Sequence, residues 1–184
     1  MTVIKNVFST EDEIIRACIK QDPLAQRALY ESYSPVMLAL CTRYMGGKDR
    51  ARDALHDGFI TVFEKIGSYN GAGSFEGWMK RIFVNTALMS IRKGDVLKFS
   101  DELNTVDREH AVDASVLSSI SSSELMALVS SMPDGFRAVF NMYAIEGFTH
   151  QEIAEELKIS ESSSRSQFSR ARIWLQERLK DFKR

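Results

Sequence analysis

Long apolar runs are missing from this chain. The longest clean one, Val36 to Cys41, is far short of the roughly 20 residues a membrane helix needs, so no direct membrane insertion is expected. The opening residues, Met1 to Asn6, lack the basic-then-apolar design of a secretion signal, and the expected location is cytoplasmic. Cysteine is scarce. Cys18 and Cys41, the only 2, have no CxxC neighbour and no nearby histidine, which suits small buried residues in a reducing compartment. His56, His110 and His150 lie too far apart for metal-ligand spacing, so neither metal nor other cofactor is expected. There are no paired carboxylates at metal spacing, no phosphate loop (GSYNGAGS at 67–74 lacks the Gly-Lys-Ser/Thr ending) and no nucleophile–base set. No catalytic residue is therefore named, and an enzyme is not expected. Strand signals are weak, which leaves an all-α chain.

What is present is ample apolar material, 44% of 184 residues, enough for one ordinary domain or two small ones. The net charge of −1 hides an uneven distribution. Between Lys80 and Lys93 the charges are all basic: Lys80, Arg81, Arg92 and Lys93. From Gly94 to Glu124 they are mostly acidic, and from Lys158 onward basic residues again prevail. Two basic blocks around an acidic stretch suggest two DNA-facing modules on a tether.

Helix signals are many. Thr10 with Glu13 forms a capping box for a helix to about Gln21. Asp22-Pro23 supplies a cap and a first-turn proline for the next helix, which Pro35 should break or kink and Gly46-Gly47 should stop. A helix over 49–66 carries Leu55, Phe59, Val62 and Ile66 on one face. After the glycine-rich 67–74 loop, Ser74 caps a helix over 75–93 with an apolar face of Trp78, Ile82, Met89 and neighbours. Residues 95–123 read as an acidic, serine-rich linker, with a helical turn or two near Val116 to Ile120. Helices over 124–131 and about 134–146 follow, separated at Met132-Pro133. The expected architecture is two small helical domains, 1–94 and 124–184, joined by a flexible linker at 95–123.

The rear of the chain has helix-turn-helix spacing. Thr149 to Glu152 is a capping box for a short helix whose inner face is Ile153, Ala154 and Leu157. Lys158-Ile159-Ser160 is a tight connection, with Ile159 as a buried plug and Ser160 capping the last helix. That helix carries Ser164, Phe168, Ala171, Leu175 and Leu179 on one stripe. Its other face offers Ser162, Ser163, Arg165, Ser166, Gln167, Ser169 and Arg170. Short hydroxyls, long cations and a helix N-terminus suit phosphates and base edges in a major groove. An ordinary helical hairpin with a solvated basic face is the plainer alternative.

Residues 147–179, with Glu152-Ile153-Ala154 and Ser169 to Arg172, resemble the promoter-binding domain of extracytoplasmic-function sigma factors, a group of the sigma-70 family. Residues 52–93 resemble the second conserved region of the same family. There Asp53, His56, Asp57 and Phe59 stand at the family's clamp-facing positions, although its Gln-Glu pair is replaced. The family's Phe-x-x-Trp-Leu-x-x-Ile-x-x-Asn run appears as Phe75, Trp78, Met79, Ile82 and Asn85.

The resemblance implies an alternative sigma factor that binds core RNA polymerase at its clamp and flap and directs promoter recognition, melting and initiation. It implies core contact by Asp53, His56, Asp57 and Phe59. Contact with the −10 element falls to Trp78, Lys80, Arg81, Asn85, Arg92 and Lys93. Contact with the −35 element falls to Ser162, Ser163, Arg165, Ser166, Ser169, Arg170 and Arg172. An anti-sigma protein is a further partner it implies. Plainer roles stand beside these: Trp78 and Phe75 as core residues, Asn85 bonded to backbone, Asp53 and Asp57 on a solvated face, and Arg172 paired with Glu177. Ser164 departs from the apolar residue usual at its place in the family. A dimeric helix-turn-helix regulator accounts for 124–184 alone but leaves 52–93 unexplained.

Overall fold

The computed structural model describes residues 8–93 and 121–180, and all regular structure within them is helical. The described residues form α1 (Glu11–Ile19), α2 (Pro23–Met45), α3 (Lys48–Lys65), α4 (Phe75–Lys93), α5 (Ser122–Ser131), α6 (Asp134–Phe140), α7 (His150–Leu157) and α8 (Glu161–Leu179). Two compact units emerge among them. One takes the residues up to Cys41 and Asp49–Ala87; the other takes Thr42–Lys48 and those from Leu88 on.

The predicted caps are formed, except that the box at Thr10 is half made, since Glu13 Oε2 accepts the Ser9 N–H at 2.7 Å instead of the Thr10 N–H. Thr10 Oγ1 accepts the Glu13 N–H at 3.2 Å, and Asp22 Oδ1 accepts those of Leu24 (2.8 Å) and Ala25 (3.3 Å). Each satisfies donors that a helix start leaves unbonded. Gly46, at φ +66°, ends α2 in the left-handed conformation that a side chain resists. The expected break at Pro35 is absent: α2 runs through it as one 23-residue helix. Pro35 is exposed, whereas Leu29 before it and Met37, Leu40 and Cys41 after it are buried. Burying those side chains, at about 1.5–3 kcal/mol for each large one, outweighs the roughly 3 kcal/mol an internal proline costs.

In the first unit the α3 face is as the spacing predicts, with Leu55, Phe59, Val62 and Ile66 all buried. The α4 face is not. Phe75, Met79, Phe83, Val84 and Ala87 are enclosed, while Trp78 and Ile82 are half-buried. Farther along the same helix Leu88 and Ile91 are enclosed and Met89 is exposed. That helix holds more apolar residues than one stripe accommodates, so the period alone leaves its rotation undetermined. Phe59 is the hub of the first unit's aromatic core, 4.6 Å from Tyr30, 6.0 Å from Phe63 and 5.2 Å from Phe83 between ring centroids. Burial pushes the Cys18 thiol up to about 11 and that of Cys41 up to about 12, so neither is poised as a nucleophile.

Within the second unit, α5 begins two residues earlier than expected. Ser121 and Glu124 exchange capping-box bonds, so serines assigned to the linker start the helix. The rest of that linker, including Val116 to Ile120, lies outside the described residues. The single helix expected over 134–146 is instead α6 continued by a π turn, Asn141–Ile145, closed at Gly147 with φ +79°. Arg137, buried, donates from Nε to the Tyr44 carbonyl at 2.8 Å and from a terminal nitrogen to the Ser130 carbonyl at 3.2 Å. It also pairs with Asp134, and Asn141 Nδ2 donates to the carbonyls of Arg43 (3.0 Å) and Arg137 (2.9 Å). Burying a cation is tolerable only with such partners. Val129, Met132 and Ala171 form an apolar core with Phe136, Phe140, Trp174 and Leu175 around it.

Candidate functional site

On α3, Asp53, His56 and Asp57 are exposed together, at the i, i+3, i+4 positions of one helix face. His56 Nδ1 lies 4.0 Å from Asp57 Oδ1. Phe59 is not part of this face; it points into the core at 3% exposure. The position that continues the face is Ile60, 44% exposed. Sequence reasoning passed over Ile60 because an apolar residue in an amphipathic helix is assigned inward by default. The seven-residue step from Asp53 was the available signal.

Helical geometry brings Trp78, Arg81, Asn85 and Arg92 onto one stripe of α4, at i, i+3, i+7 and i+14. Arg81 and Asn85 are exposed; Trp78 and Arg92 are half-buried. Met89, exposed, lies on the same stripe. Lys80 stands off it, with Nζ 2.7 Å from Glu76. The side chain of Lys93 lies outside the described residues. Trp78 stacks on Phe75 (5.4 Å, 19° between planes) and leans on Tyr69 at 5.7 Å. Phe75 is buried and Trp78 keeps part of its surface, so one ring serves the core and its neighbour bridges core and solvent. Beside them the 67–74 loop is held by its own side chains. Tyr69 OH donates to the Gly73 carbonyl at 2.8 Å, and Asn70 Oδ1 accepts the Ala72 N–H at 3.0 Å. Gly71 and Gly73 have φ of +78° and +81°, with open space where a Cβ would be.

In the second unit, α7 and α8 form the helix-turn-helix. Both capping signals are realised: Thr149 with Glu152 on α7, and Ser160 Oγ accepting the Ser163 N–H at 3.0 Å on α8. Lys158 takes the left-handed conformation at φ 56°, and Ile159 N–H bonds back to Ala154 at 3.1 Å. Ile159 is half-buried rather than a buried plug. Ser162, Arg165, Ser166, Ser169 and Arg172 are exposed on the outward half of α8, with Ser163 and Arg170 half-buried at its margin. Ser160 holds the hydroxyls of Ser162 (2.8 Å) and Ser163 (2.7 Å), and Arg165 pairs with Glu161. Gln167, expected on the outward face, is buried with Oε1 unbonded. It lies on the turn between Ser164 and Ala171, and its polarity disguised an inward position. Opposite the outward face, Phe168 stacks on Phe140 and meets Tyr143 at a tilt.

The arrangement offers an acidic stripe with one exposed apolar residue, a helix stripe of amide, cation and indole, and a hydroxyl- and cation-bearing helix start. Among the described residues no group of three metal-ligating side chains converges, and no helix is long and apolar enough to cross a membrane.

Residues 29–96 match the family profile for sigma-70 region 2, and residues 122–175 match that for sigma-70 region 4. The chain is similar to the ECF RNA polymerase sigma factor SigE of Mycolicibacterium smegmatis, 29% identical over 82% of this chain and 60% of that protein. The chain thus spans less than two thirds of that relative's length. It is 24% identical to the ECF RNA polymerase sigma-E factor of Escherichia coli K12, over 89% of this chain and 91% of the other. A solved structure of the sigma factor RpoE with the anti-sigma factor NepR, from Bartonella quintana, shares the fold at a TM-score of 0.51 and 20% identity, over 84% of this chain and 96% of that one. Both halves of the sequence carry family regions in the family order, and the chain belongs to the sigma-70 family as a sigma factor of the extracytoplasmic-function group.

Proposed function

We propose that this sigma factor directs promoter recognition, DNA melting and transcription initiation by core RNA polymerase, acting in the cytoplasm and catalysing nothing itself. Its front domain, residues 1–94, binds the polymerase clamp through Asp53, His56, Asp57 and the adjoining Ile60, with Phe59 supporting that helix from within. The same domain handles the −10 element through Trp78, Arg81, Asn85 and Arg92, and Lys93 completes the set. Lys80, paired to Glu76 off the stripe, is its weakest member. Bases unstacked from the duplex need a stacking surface and a close backbone, which the Trp78 ring and the 67–74 loop supply. The rear domain, residues 124–184, engages the flap and reads the −35 element. There α8 enters the major groove, where Arg165, Arg170 and Arg172 reach phosphate or guanine and the serines keep the approach open. Arg165 exchanges Glu161 for its DNA partner on binding. An anti-sigma protein is the regulatory partner we put forward; the Bartonella relative was crystallised with one.

The observation that carries this reading is the division of labour on the surface: an acidic face on α3, and cation-bearing faces on α4 and α8. Run-off transcription with purified core polymerase on genomic DNA tests it. Adding the chain is expected to produce discrete transcripts. Asp53→Ala with Asp57→Ala weakens core binding, whereas Arg165→Ala with Arg170→Ala spares core binding and reduces promoter selection. A chain that never associates with core polymerase refutes the proposal.

A further inference from the structure

The helix-turn-helix contains a polar contact where the family pattern has an apolar one. Ser164 is fully enclosed, one turn into α8. A hydroxyl shut away from water is unfavourable unless it is bonded. Its partner is His150 Nδ1, 2.9 Å away across the turn, on the first residue of α7. The imidazole is itself held from two further directions. It lies flat on Tyr143 of the π turn, 4.3 Å between centroids and 15° between planes, and meets Phe168 of α8 edge-on at 5.9 Å. Tyr143 closes the triangle on Phe168 at 4.5 Å.

An apolar side chain in a groove tolerates slip, because dispersion is non-directional. A hydrogen bond to a ring of fixed orientation does not. Rotating α8 about its axis, or sliding it by one residue, takes Ser164 off His150. Ser164 is flanked by Ser163, Arg165 and Ser166, so its rotation is theirs. We propose that His150 is a positioning residue for DNA reading: its bond to Ser164 sets the rotation of α8 and hence the direction in which Arg165, Ser166 and Ser169 project. This rests on the reading of α8 as the promoter-facing helix. His150 needs no contact with DNA to play this part.

The test uses the full chain assembled with core polymerase and challenged with sheared DNA from its own genome. Retained fragments are sequenced, and core association and thermal unfolding are measured on the same samples. Arg165→Ala with Arg170→Ala tests the underlying reading: an unchanged fragment profile overturns it, and the inference with it. Where that pair does shift the profile, the histidine is tested alone. His150→Phe keeps the ring stack but leaves Ser164 unbonded. It is expected to lower retention about tenfold and broaden the fragment profile while core association holds. Adding Ser164→Val removes the stranded hydroxyl and is expected to recover thermal stability but to leave the fragment profile broadened, because an apolar pair packs without fixing the rotation of α8. The inference is overturned by a His150→Phe chain with parental retention and profile, or by a double variant that regains the parental profile without the bond. Where His150→Phe does not fold, Ser164→Val alone decides: a shifted profile with core binding intact supports the inference, and an unshifted one overturns it.

Discussion

Gly58 has no room for a methyl group. A Cβ built there would sit 2.3 Å from the Phe83 ring, so α3 and α4 approach through a glycine facing an aromatic face. Alanine is the better helix former by about 1 kcal/mol, and on an open helix surface the substitution would stabilise. Here overpacking outweighs that gain, and Gly58→Ala is expected to cost about 1–3 kcal/mol net, read as a lower urea midpoint with an unchanged slope. An equal or higher midpoint would show that Phe83 gives way freely. Nothing local in the sequence marks this glycine, because its partner lies on another helix. Phe59, by contrast, was legible as a core residue from its spacing to Leu55, Val62 and Ile66. The resemblance that also gave it a surface role carries a family position, which is indifferent to which way the side chain turns.

Pro35 shows how a helix overrides its own sequence. Propensity and the missing N–H predict an interruption, and the buried residues on either side hold the helix together regardless. Since Pro35 is exposed, Pro35→Ala is expected to add about 1–3 kcal/mol to stability, measured by thermal or urea unfolding. No gain would mean that the proline's effect is already absorbed by local geometry. The α7–turn–α8 element behaves in the opposite way: its caps and the stripe that includes Ser164 were readable, whereas the half-burial of Ile159, the inward turn of Gln167 and the Ser164–His150 contact were not. Spacing places Ser164 on the inner stripe, and it is buried there, whereas Gln167 looks outward by composition and is buried by periodicity. His150 is held below its ordinary 6.5 by burial and then by Arg165, against the opposing pull of Glu161, with Tyr143 stacked on its face. The folded form therefore binds fewer protons than the unfolded chain below 6.5. Its contribution is complete above that value and is lost as pH falls through the depressed one. Thermal melts from about pH 7 to about pH 5 should show a steeper loss for the parent than for His150→Phe. Parallel curves would remove His150 as the source.

At the scale of the molecule, a net charge of −1 gives no field that would draw the chain to DNA, so attraction must be local. The basic blocks were visible along the sequence, but which of their members act together was not, because that depends on helix rotation and on intrahelical pairing. Arg81 and Lys80 are sequence neighbours with different circumstances. Arg81 is exposed on the stripe with Asn85, and Lys80 is tied to Glu76 on another side of α4. Counterion release separates them. The logarithm of holoenzyme affinity for a promoter fragment should fall linearly with the logarithm of salt concentration, by about 0.9 for each phosphate neutralised. Arg81→Ala and Arg165→Ala should each flatten that slope by about 0.9, whereas Lys80→Ala should leave it nearly unchanged. On the proposed reading, in which its face meets protein rather than phosphate, Asp53→Ala should not alter the slope once holoenzyme has formed. Equal flattening by Lys80→Ala and Arg81→Ala would mean that the Glu76 pair opens on DNA and that two sides of α4, not one, face the backbone.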